Sequence, residues 1–210
     1  MIYEDLVKEM IQSKIITFGE YRLSSGRISP FYINLRILPS NPDLMNKIMS
    51  RIVEYIEMSE IDFDTIAGIE TSGIVYATYL SCLMKKPLAY IRKKKKEHGL
   101  KNLIEGLIED RRVLLIDDVS TTGLTLYNAI KVIRENKGIV ENALVIIDRL
   151  EGAREKLREL NVELKSLLDM KTIVKILVKN NLITDREYSR IINYYREQGF
   201  RKILNDDQDE

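Results

Sequence analysis

The chain has 210 residues, of which 45% are hydrophobic and 31% charged, and its formal net charge is +1. This length fits one domain with at most a small appendage, and the balanced charge excludes a global field that would attract nucleic acid or a membrane surface. A single cysteine excludes an intrachain disulfide, and because neither a membrane-length apolar run nor a signal peptide is visible, we expect a cytoplasmic protein.

The N-terminal segment is predicted to form a short helix, a hairpin and a longer helix. Apolar residues at helical spacing indicate amphipathic helices over residues 4–13 and 44–56. Between them, Ser24-Ser25-Gly26 is typical of a turn, and residues 31–36 are rich in strand-forming types. Taken alone, this stretch indicates a hairpin and no particular function.

A strand–helix–strand unit is predicted next. Buried strands over 65–69 and 88–91 are joined by a helix, in which Cys82 is expected to be a buried small hydrophobe. Such a unit requires a parallel strand pair with a right-handed crossover. The polar loop over 70–73 that starts the helix is as compatible with a plain helix cap as with a ligand-binding loop.

Five consecutive cations, Arg92 to Lys96, are followed by His98 and Gly99. Adjacent like charges repel, so the run is either solvated or stabilised by an anion. A solvated loop and a nucleic-acid patch are two interpretations. The third is a mobile lid, which is favoured because the run follows a strand that should end beside other polar loops and lacks a firm period as far as Gly106.

The most informative segment is an apolar strand over 113–116 with the polar residues after it. Asp117 and Asp118 follow where the strand is expected to leave the sheet, and hydroxyls and a glycine then lead into a helical pattern over 126–133. Ligands bind at such loops in open α/β sheets, and a helix N-terminus with small hydroxyl side chains suits a phosphate. The carboxylates would repel a phosphate, so we expect them to contact ribose hydroxyls or Mg²⁺ with its waters. An ordinary strand–turn–helix connection is the alternative, and a P-loop is disfavoured because no Gly-Lys-Ser/Thr is present.

The last third of the chain is predicted to alternate strands and helices and to finish with a helical pair. Gly138 is expected to end the preceding helix as its C-cap. A buried strand is predicted over 142–149, with Arg149 at its end. Arg149 is either a functional residue at this strand end or a surface arginine beside Asp148. The other predicted elements are a helix over 151–160, a short strand over 162–164, and helices over 171–179 and 184–198, the last with a Thr184–Glu187 capping box. The helical pair is either a packing appendage or an interaction surface, and the acidic residues 205–210 are expected to be disordered.

Residues 113–125 closely resemble the signature with which type I phosphoribosyltransferases bind PRPP, 5-phosphoribosyl 1-diphosphate. The resemblance implies an α/β fold with a parallel-sheet core flanked by helices and a small N-terminal hood. It implies one domain over 1–204, with a hood to about residue 40, a core to about residue 168 and then a helical appendage. In that family the signature loop holds the 5′-phosphate, the acidic pair contacts the ribose, and the loop over 70–73 binds pyrophosphate. The PRPP-binding residues implied in these two loops are Thr71, Ser72, Gly73, Asp117, Asp118, Val119, Ser120, Thr121, Thr122, Gly123, Leu124 and Thr125.

Two further stretches resemble the orotate phosphoribosyltransferases within that group. The matching residues are Leu23, Ser25, Gly26, Ser29, Pro30, Tyr32 and Arg36 in the hairpin, and Arg92, Lys93, Lys96, His98 and Gly99 in the basic run. The resemblance implies that the hairpin is a hood over the base and that the basic run is a lid whose Arg92, Lys93, Lys96 and His98 bind PRPP. It also implies that Arg149, Thr121 and Tyr32 contact orotate. Several bacterial members carry a lysine where this chain has Ser24, so no lysine is assigned there.

The reaction implied by the resemblance joins orotate to the anomeric carbon of PRPP, giving orotidine 5′-monophosphate and pyrophosphate. The implied catalytic residues are Lys96, His98, Asp117 and Asp118. Mg²⁺ is the implied cofactor, carried by PRPP near the two aspartates without a direct protein ligand. A homodimer that shares its lid between subunits is also implied, with neither nucleic acid nor a membrane as partner. A phosphoribosyltransferase for a purine or another base stays open, as does a PRPP-sensing transcription regulator, which would need a basic helix-turn-helix.

Overall fold

The computed structural model describes residues 3–23, 26–93, 103–200 and 203. Its strands are β1 Ile16–Arg22, β2 Ile28–Ile33, β3 Thr65–Ile69, β4 Leu88–Ile91, β5 Ile104–Glu105, β6 Val113–Ser120, β7 Asn142–Asp148 and β8 Glu163–Asp169. Its α-helices are α1 Glu4–Gln12, α2 Pro42–Met58, α3 Ser72–Met84, α4 Leu124–Glu135, α5 Ala153–Arg158, α6 Met170–Lys179 and α7 Asp185–Glu197, with a 3₁₀ helix over Leu35–Ser40. The chain divides into a sheet unit, Ile48–Leu167, and a terminal unit, Met1–Lys47 with Leu168–Glu210.

The sheet unit is built on a six-stranded sheet in the order β5-β4-β3-β6-β7-β8 among the described residues. β3 pairs in parallel with β4 and β6, and β6 pairs in parallel with β7. β3 is buried along its whole length and β7 along nearly all of it, which is typical of strands covered on both faces. The predicted parallel core is therefore confirmed. β5 adds an antiparallel edge strand, which at two residues is too short to show a period in the sequence.

α3 packs closely on β3 because both elements carry a glycine at their contact. A Cβ on Gly68 would lie 2.5 Å from the carbonyl oxygen of Gly73, closer than real Cβ atoms come. α4 covers the sheet through a buried stripe of Leu126, Ala129, Ile130 and Ile133, which is the helical face predicted from the sequence.

The terminal unit joins the N-terminal hairpin to the C-terminal helices. β1 and β2 pair antiparallel, with a register shift between Phe18 and Tyr21. The Phe31 ring of β2 stacks on Tyr195 of α7 at a centroid distance of 6.2 Å and meets Tyr194 edge-on at 6.1 Å. Packing is thus an observed role of this helix.

The predicted capping box of α7 is confirmed. The N–H of Glu187 donates to Thr184 Oγ1 at 3.2 Å, and the N–H of Thr184 donates to Glu187 Oε2 at 2.8 Å. The two bonds satisfy N–H groups at the helix end that have no partner within the helix.

Two residue-level predictions were wrong. Cys82 is exposed, because the buried face of α3 runs through Tyr76, Ala77 and Leu80 and leaves position 82 outside it. Gly138 is not the C-cap of α4, which ends one position before its cap, Asn136. The left-handed residue after the cap is a lysine, and Gly138 instead donates its N–H to the carbonyl oxygen at position 133 at 3.0 Å.

Several element boundaries also differ from the predicted ones. β2 begins and ends earlier than the predicted strand over 31–36, and the 3₁₀ helix takes up the residues after it. α5 is shorter than predicted and β8 longer. The acidic residues 205–210 lie outside the described residues. Among the residues that are described, no helix is long and apolar enough to cross a membrane.

Candidate active site

The acidic pair lies on β6 and not beyond it, which corrects the predicted strand end. β6 continues to Ser120, because its parallel pairing with β7 continues as far as Ser120 opposite Asp148. The strand end was predicted from the point where the apolar run stops. Backbone hydrogen bonds between strands do not depend on side-chain polarity, so the strand continues beyond that point. The loop between β6 and α4 is consequently reduced to residues 121–123. It is called the phosphate loop here, after the ligand that the sequence resemblance predicts for it.

Asp117 and Asp118 differ in burial because they lie on opposite faces of the strand. Asp117 is only 9% exposed, and Asp118 is half-buried. The N–H of Asp118 donates to Asp117 Oδ1 at 3.0 Å, and the N–H of Val119 donates to Asp118 Oδ1 at 2.9 Å. Burial, reinforced by the neighbouring Asp118 charge, raises the pKa of Asp117 to about 8, although the Lys93 charge acts in the opposite direction.

The loop between β3 and α3 lies directly beside the acidic pair. Gly68 and Ile116 are register partners, so β3 and β6 direct their carboxyl ends to the same edge of the sheet. A Cβ on Gly73 would lie 2.7 Å from the Ile116 carbonyl oxygen and 3.1 Å from Asp117 Oδ1. The absence of a side chain at Gly73 therefore lets the first turn of α3 reach the acidic pair. Thr71 is exposed and Ser72 half-buried in this loop, whose Glu70–Thr71 peptide bond is cis.

The phosphate loop presents a helix N-terminus at the same sheet edge. Thr121 is half-buried and Thr122 exposed, whereas Gly123 is buried with a φ of +78°. That left-handed conformation favours glycine, and a Cβ there would also lie 2.9 Å from the Cα of Ala153. α4 begins at the next residue, so the N–H groups of its first turn, with exposed Leu124 and Thr125, follow the loop directly.

Ser120 and Arg149 are both buried. Ser120 is 2% exposed, and its hydroxyl donates to Asp148 Oδ1 at 2.8 Å. Arg149 is 4% exposed and pairs with Glu151, whose Oε1 lies 2.7 Å from both Nε and Nη2 of the arginine. The alternative of a surface arginine at this position is therefore wrong.

The start of the basic run contacts the loop after β3. The N–H of Lys93 donates to Glu70 Oε2 at 2.7 Å. Arg92 lies 3.6 Å from Glu105 between Nη1 and Oε1, and its backbone N–H donates to the carbonyl oxygen of Leu103. Both residues follow β4, whose parallel pairing with β3 directs it to the same sheet edge.

Of the other residues predicted for the site, the structure describes only Tyr32. Lys96, His98 and Gly99 lie outside the described residues. Tyr32 belongs to the terminal unit, where it is 39% exposed and its ring lies 5.5 Å from that of Tyr21. Within the described residues, no group of three or more His, Cys, Asp or Glu side chains could hold a metal ion. Asp117 and Asp118 are two adjacent carboxyl groups, which suits contact with a ligand-borne Mg²⁺ better than a complete protein site.

Sequence reasoning missed the charged residues that support the site. Glu70 accepts the N–H of Lys93, Asp148 accepts the Ser120 hydroxyl, and Glu151 pairs with Arg149. A signal was present, because Asp148 is the last residue of a buried apolar strand and Glu151 follows three positions later. Position alone does not show that such side chains turn inward.

The chain is similar to known proteins over most of its length. Residues 36–175 match the family model described as phosphoribosyl transferase domain. An orotate phosphoribosyltransferase of Staphylothermus marinus is 47% identical over 92% of this chain and 94% of its own length. The crystal structure of orotate phosphoribosyltransferase from Aeropyrum pernix has a TM-score of 0.74 at 32% identity, covering 85% of this chain and 99% of that one.

A third similarity extends to a longer protein. The structure of Leishmania donovani UMP synthase has a TM-score of 0.83 at 28% identity and covers 94% of this chain, which spans 43% of that protein. The family model, the relatives and the loops at the sheet edge agree. This chain belongs to the orotate phosphoribosyltransferase family of phosphoribosyl transferase domain proteins.

Proposed function

We propose that this protein transfers the phosphoribosyl group of PRPP to orotate, forming orotidine 5′-monophosphate and pyrophosphate in pyrimidine nucleotide synthesis. The observation that carries the proposal is the meeting of two strand-to-helix loops at one sheet edge, where Gly73 abuts Asp117. One loop suits each phosphate-bearing end of PRPP, and the acidic pair lies next to both. The names of the similar proteins support orotate as the base.

The phosphate loop would hold the 5′-phosphate of PRPP. The first turn of α4 offers backbone N–H groups and the positive end of a helix dipole, and Thr121 and Thr122 add hydroxyl donors. Val119 and Ser120 position the loop from β6, and Ser120 does so with its hydroxyl already bonded to Asp148.

The acidic pair would bind the ribose. With a pKa of about 8, Asp117 keeps its proton at neutral pH in the free protein and can donate a hydrogen bond, whereas the Asp118 carboxylate accepts. The Asp118 charge beside the ribose would favour the positive charge that develops at the anomeric carbon as the bond to pyrophosphate breaks.

The first turn of α3 would hold the pyrophosphate. The loop residues Thr71 and Ser72 lead into the N–H groups of this turn, and Lys93 is anchored beside them through Glu70. Lys96 and His98 are proposed, from the family resemblance, to close over PRPP and to stabilise the charge on the leaving group. Mg²⁺ bound with PRPP near Asp117 and Asp118 would supply further positive charge to the same group.

Arg149 would bind the carboxylate of orotate. Glu151 fixes the guanidinium from one side, and a guanidinium fork matches a planar carboxylate better than an ammonium does. Because only 4% of Arg149 is exposed, the base would reach only a small part of the residue's surface. Thr121 and Tyr32 are proposed as the other orotate contacts.

The assembly and location are also proposals. The family resemblance supports a homodimer with a shared lid, and the composition supports a cytoplasmic enzyme. Light scattering coupled to size-exclusion chromatography tests the dimer, and a mass of one chain would contradict it.

The experiment that tests the function is a panel of bases incubated with PRPP and Mg²⁺. We expect orotate to be converted to orotidine 5′-monophosphate with release of pyrophosphate, and adenine, guanine, hypoxanthine and uracil to react at least about a hundredfold more slowly, because they lack a carboxylate for Arg149. Omission of Mg²⁺ should abolish turnover. Preference for a purine would contradict the proposal, as would no turnover of any base together with binding of operator-length DNA.

A further inference from the structure

We propose that Asp148 is a positioning residue that fixes the phosphate loop in its binding conformation before PRPP arrives. The inference rests on the proposed function, because it assigns a role in PRPP binding to a side chain that PRPP itself would not touch. Asp148 ends β7, opposite the last residue of β6, and it is fully buried.

The Asp148 carboxylate joins three parts of the sheet unit. Oδ1 accepts the Ser120 hydroxyl at 2.8 Å and the N–H of Leu150 at 3.0 Å, whereas Oδ2 accepts Nε of Arg154 at 2.7 Å. The Arg154 guanidinium then donates from Nη2 to the Ser166 hydroxyl at 3.3 Å. One buried carboxylate therefore connects the end of β6, the segment after β7 and, through α5, strand β8.

The last residue of β7 and the residues after it, as far as Ala153, contact the phosphate loop at both of its ends. At the first end, Ser120 is bonded through its hydroxyl to Asp148 and through its carbonyl oxygen to the N–H of Arg149 at 3.0 Å. At the second end, the backbone of Gly123 packs so closely on Ala153 that no Cβ fits between them. A loop whose N–H groups must converge on one phosphate binds it best when the loop ends are fixed, because ordering them on binding costs free energy.

Stability alone is a weak explanation for this buried charge. Asp148 is 0% exposed and its partner Arg154 is 33% exposed, so the carboxylate carries most of the desolvation cost, which the attraction between them offsets only with good geometry. Apolar replacements of buried ion pairs are often neutral. Oδ1 of Asp148 instead accepts from Ser120, directly before the phosphate loop, and Oδ2 accepts from Arg154, the neighbour of the Ala153 on which Gly123 packs. That arrangement is what a positioning role requires.

The test is Asp148→Asn, with Asp64→Asn as the matched control. An asparagine amide has one acceptor oxygen where Asp148 has two, so it cannot accept from both Ser120 and Arg154, and its NH₂ group must face one of these donors. Asp64 makes the same kind of contacts at the other end of β6, since it accepts the N–H and the guanidinium of Arg112 at 2.8 and 3.0 Å. The readouts are the Kd of PRPP by calorimetry, the KM for each substrate, kcat, and the midpoint of urea unfolding.

We expect Asp148→Asn to raise the Kd and KM of PRPP about tenfold, with kcat and the KM of orotate within about twofold of wild type. Asp64→Asn should lower the unfolding midpoint without changing PRPP affinity. A PRPP Kd in Asp148→Asn that equals the wild-type value, or one that rises equally in both variants, would overturn the inference.

Ser120→Ala provides a second test if Asp148→Asn does not fold. It deletes one hydroxyl, and we expect a severalfold weaker PRPP affinity with an unchanged KM for orotate; unchanged PRPP affinity would overturn the inference. Wild-type binding of PRPP is measured first. Its absence would overturn the proposed function and this inference together, whereas tight wild-type binding with unaffected variants would overturn this inference alone.

Discussion

The two ends of β6 carry similar charged groups in opposite surroundings. At the start of the strand, Arg112 pairs with Asp62 and Asp64, and the arginine and Asp64 side chains are about 40% exposed. Near its other end, the Arg149–Glu151 pair is 5% and 0% exposed, and Asp148 is 0% exposed beside Arg154, whose side chain is 33% exposed.

The difference shows at which end of the strand charged side chains are held in one fixed arrangement. An exposed ion pair is screened by water and typically contributes no more than about 1 kcal/mol. A buried pair fixes two side chains in one arrangement and is costly to break, since the group left behind is a buried charge without its counter-ion. The end of β6 with the buried carboxylates is the end with the two loops that are proposed to bind PRPP.

The largest effect is expected from breaking the buried pair. Glu151→Ala removes the carboxylate that neutralises the Arg149 guanidinium, and we expect the free energy of unfolding to fall by about 3–5 kcal/mol. Urea denaturation followed by circular dichroism measures it. In the same experiment Glu151→Gln, which keeps the shape and one acceptor oxygen, should lose less unfolding free energy. A loss below about 1 kcal/mol in Glu151→Ala would contradict the contrast between the two ends of β6.

The next effect is a pH dependence of stability from Asp117. Its pKa is about 8 in the folded protein and 3.8 ordinarily, so between pH 5 and 7 the folded protein holds a proton that the unfolded chain has released. The free energy of unfolding should therefore fall as pH rises, by up to about 1.4 kcal/mol per pH unit from this group. Asp117→Asn should flatten that slope in urea titrations between pH 5 and 7. A variant whose slope equals that of wild type would show that Asp117 is already ionised at pH 5.

A smaller effect is expected where the two loops proposed to bind PRPP meet. Gly73→Ala places a Cβ against Ile116 and Asp117, so we expect a loss of about 1–3 kcal/mol in unfolding free energy and at least tenfold weaker PRPP binding. Gly19→Ala is the control, because its Cβ would meet only the Tyr21 side chain, at 3.3 Å. Equal PRPP affinity in wild type and Gly73→Ala would mean that the close contact does not shape the site.

The smallest effect belongs to the exposed end of β6. Asp64→Ala removes the partner of Arg112, which keeps Asp62 nearby, and we expect a change in unfolding free energy within about 1 kcal/mol. High salt should reduce the difference between this variant and wild type, whereas it should leave the cost of Glu151→Ala largely unchanged. A loss as large as that of Glu151→Ala would remove the distinction between the two ends.

The sequence predicted the strands and helices whose apolar pattern is long and regular. β3, β4, α4 and α7 were placed within a residue or two, because one buried face or a continuous apolar run marks each of them. β5 and the end of β6 were missed, since pairing with a neighbouring strand and not side-chain polarity determines them. Lys137 illustrates the same limit: its left-handed conformation is set by the local turn, and a lysine does not predict that conformation as a glycine would.

For the site, the residues of the ordered motif were easier to predict than the charged residues that support them. Asp117 and Gly123 belong to an ordered motif that sequence alone makes visible. Asp148 and Glu151 form their contacts with residues 28 and 2 positions away, and nothing in the spacing shows which charged side chain turns inward.

The central claim is that the acidic pair and the phosphate loop form a PRPP site for transfer to orotate. Asp118→Asn tests it most directly, with kcat/KM for PRPP measured at saturating orotate and Mg²⁺, and with circular dichroism to verify the fold. We expect wild type to convert orotate and PRPP to orotidine 5′-monophosphate and pyrophosphate, and the variant to lose at least about a hundredfold in kcat/KM while its unfolding midpoint stays at or above that of wild type. Unchanged kinetics in the variant, or a wild-type protein that turns over no orotate, would contradict the claim.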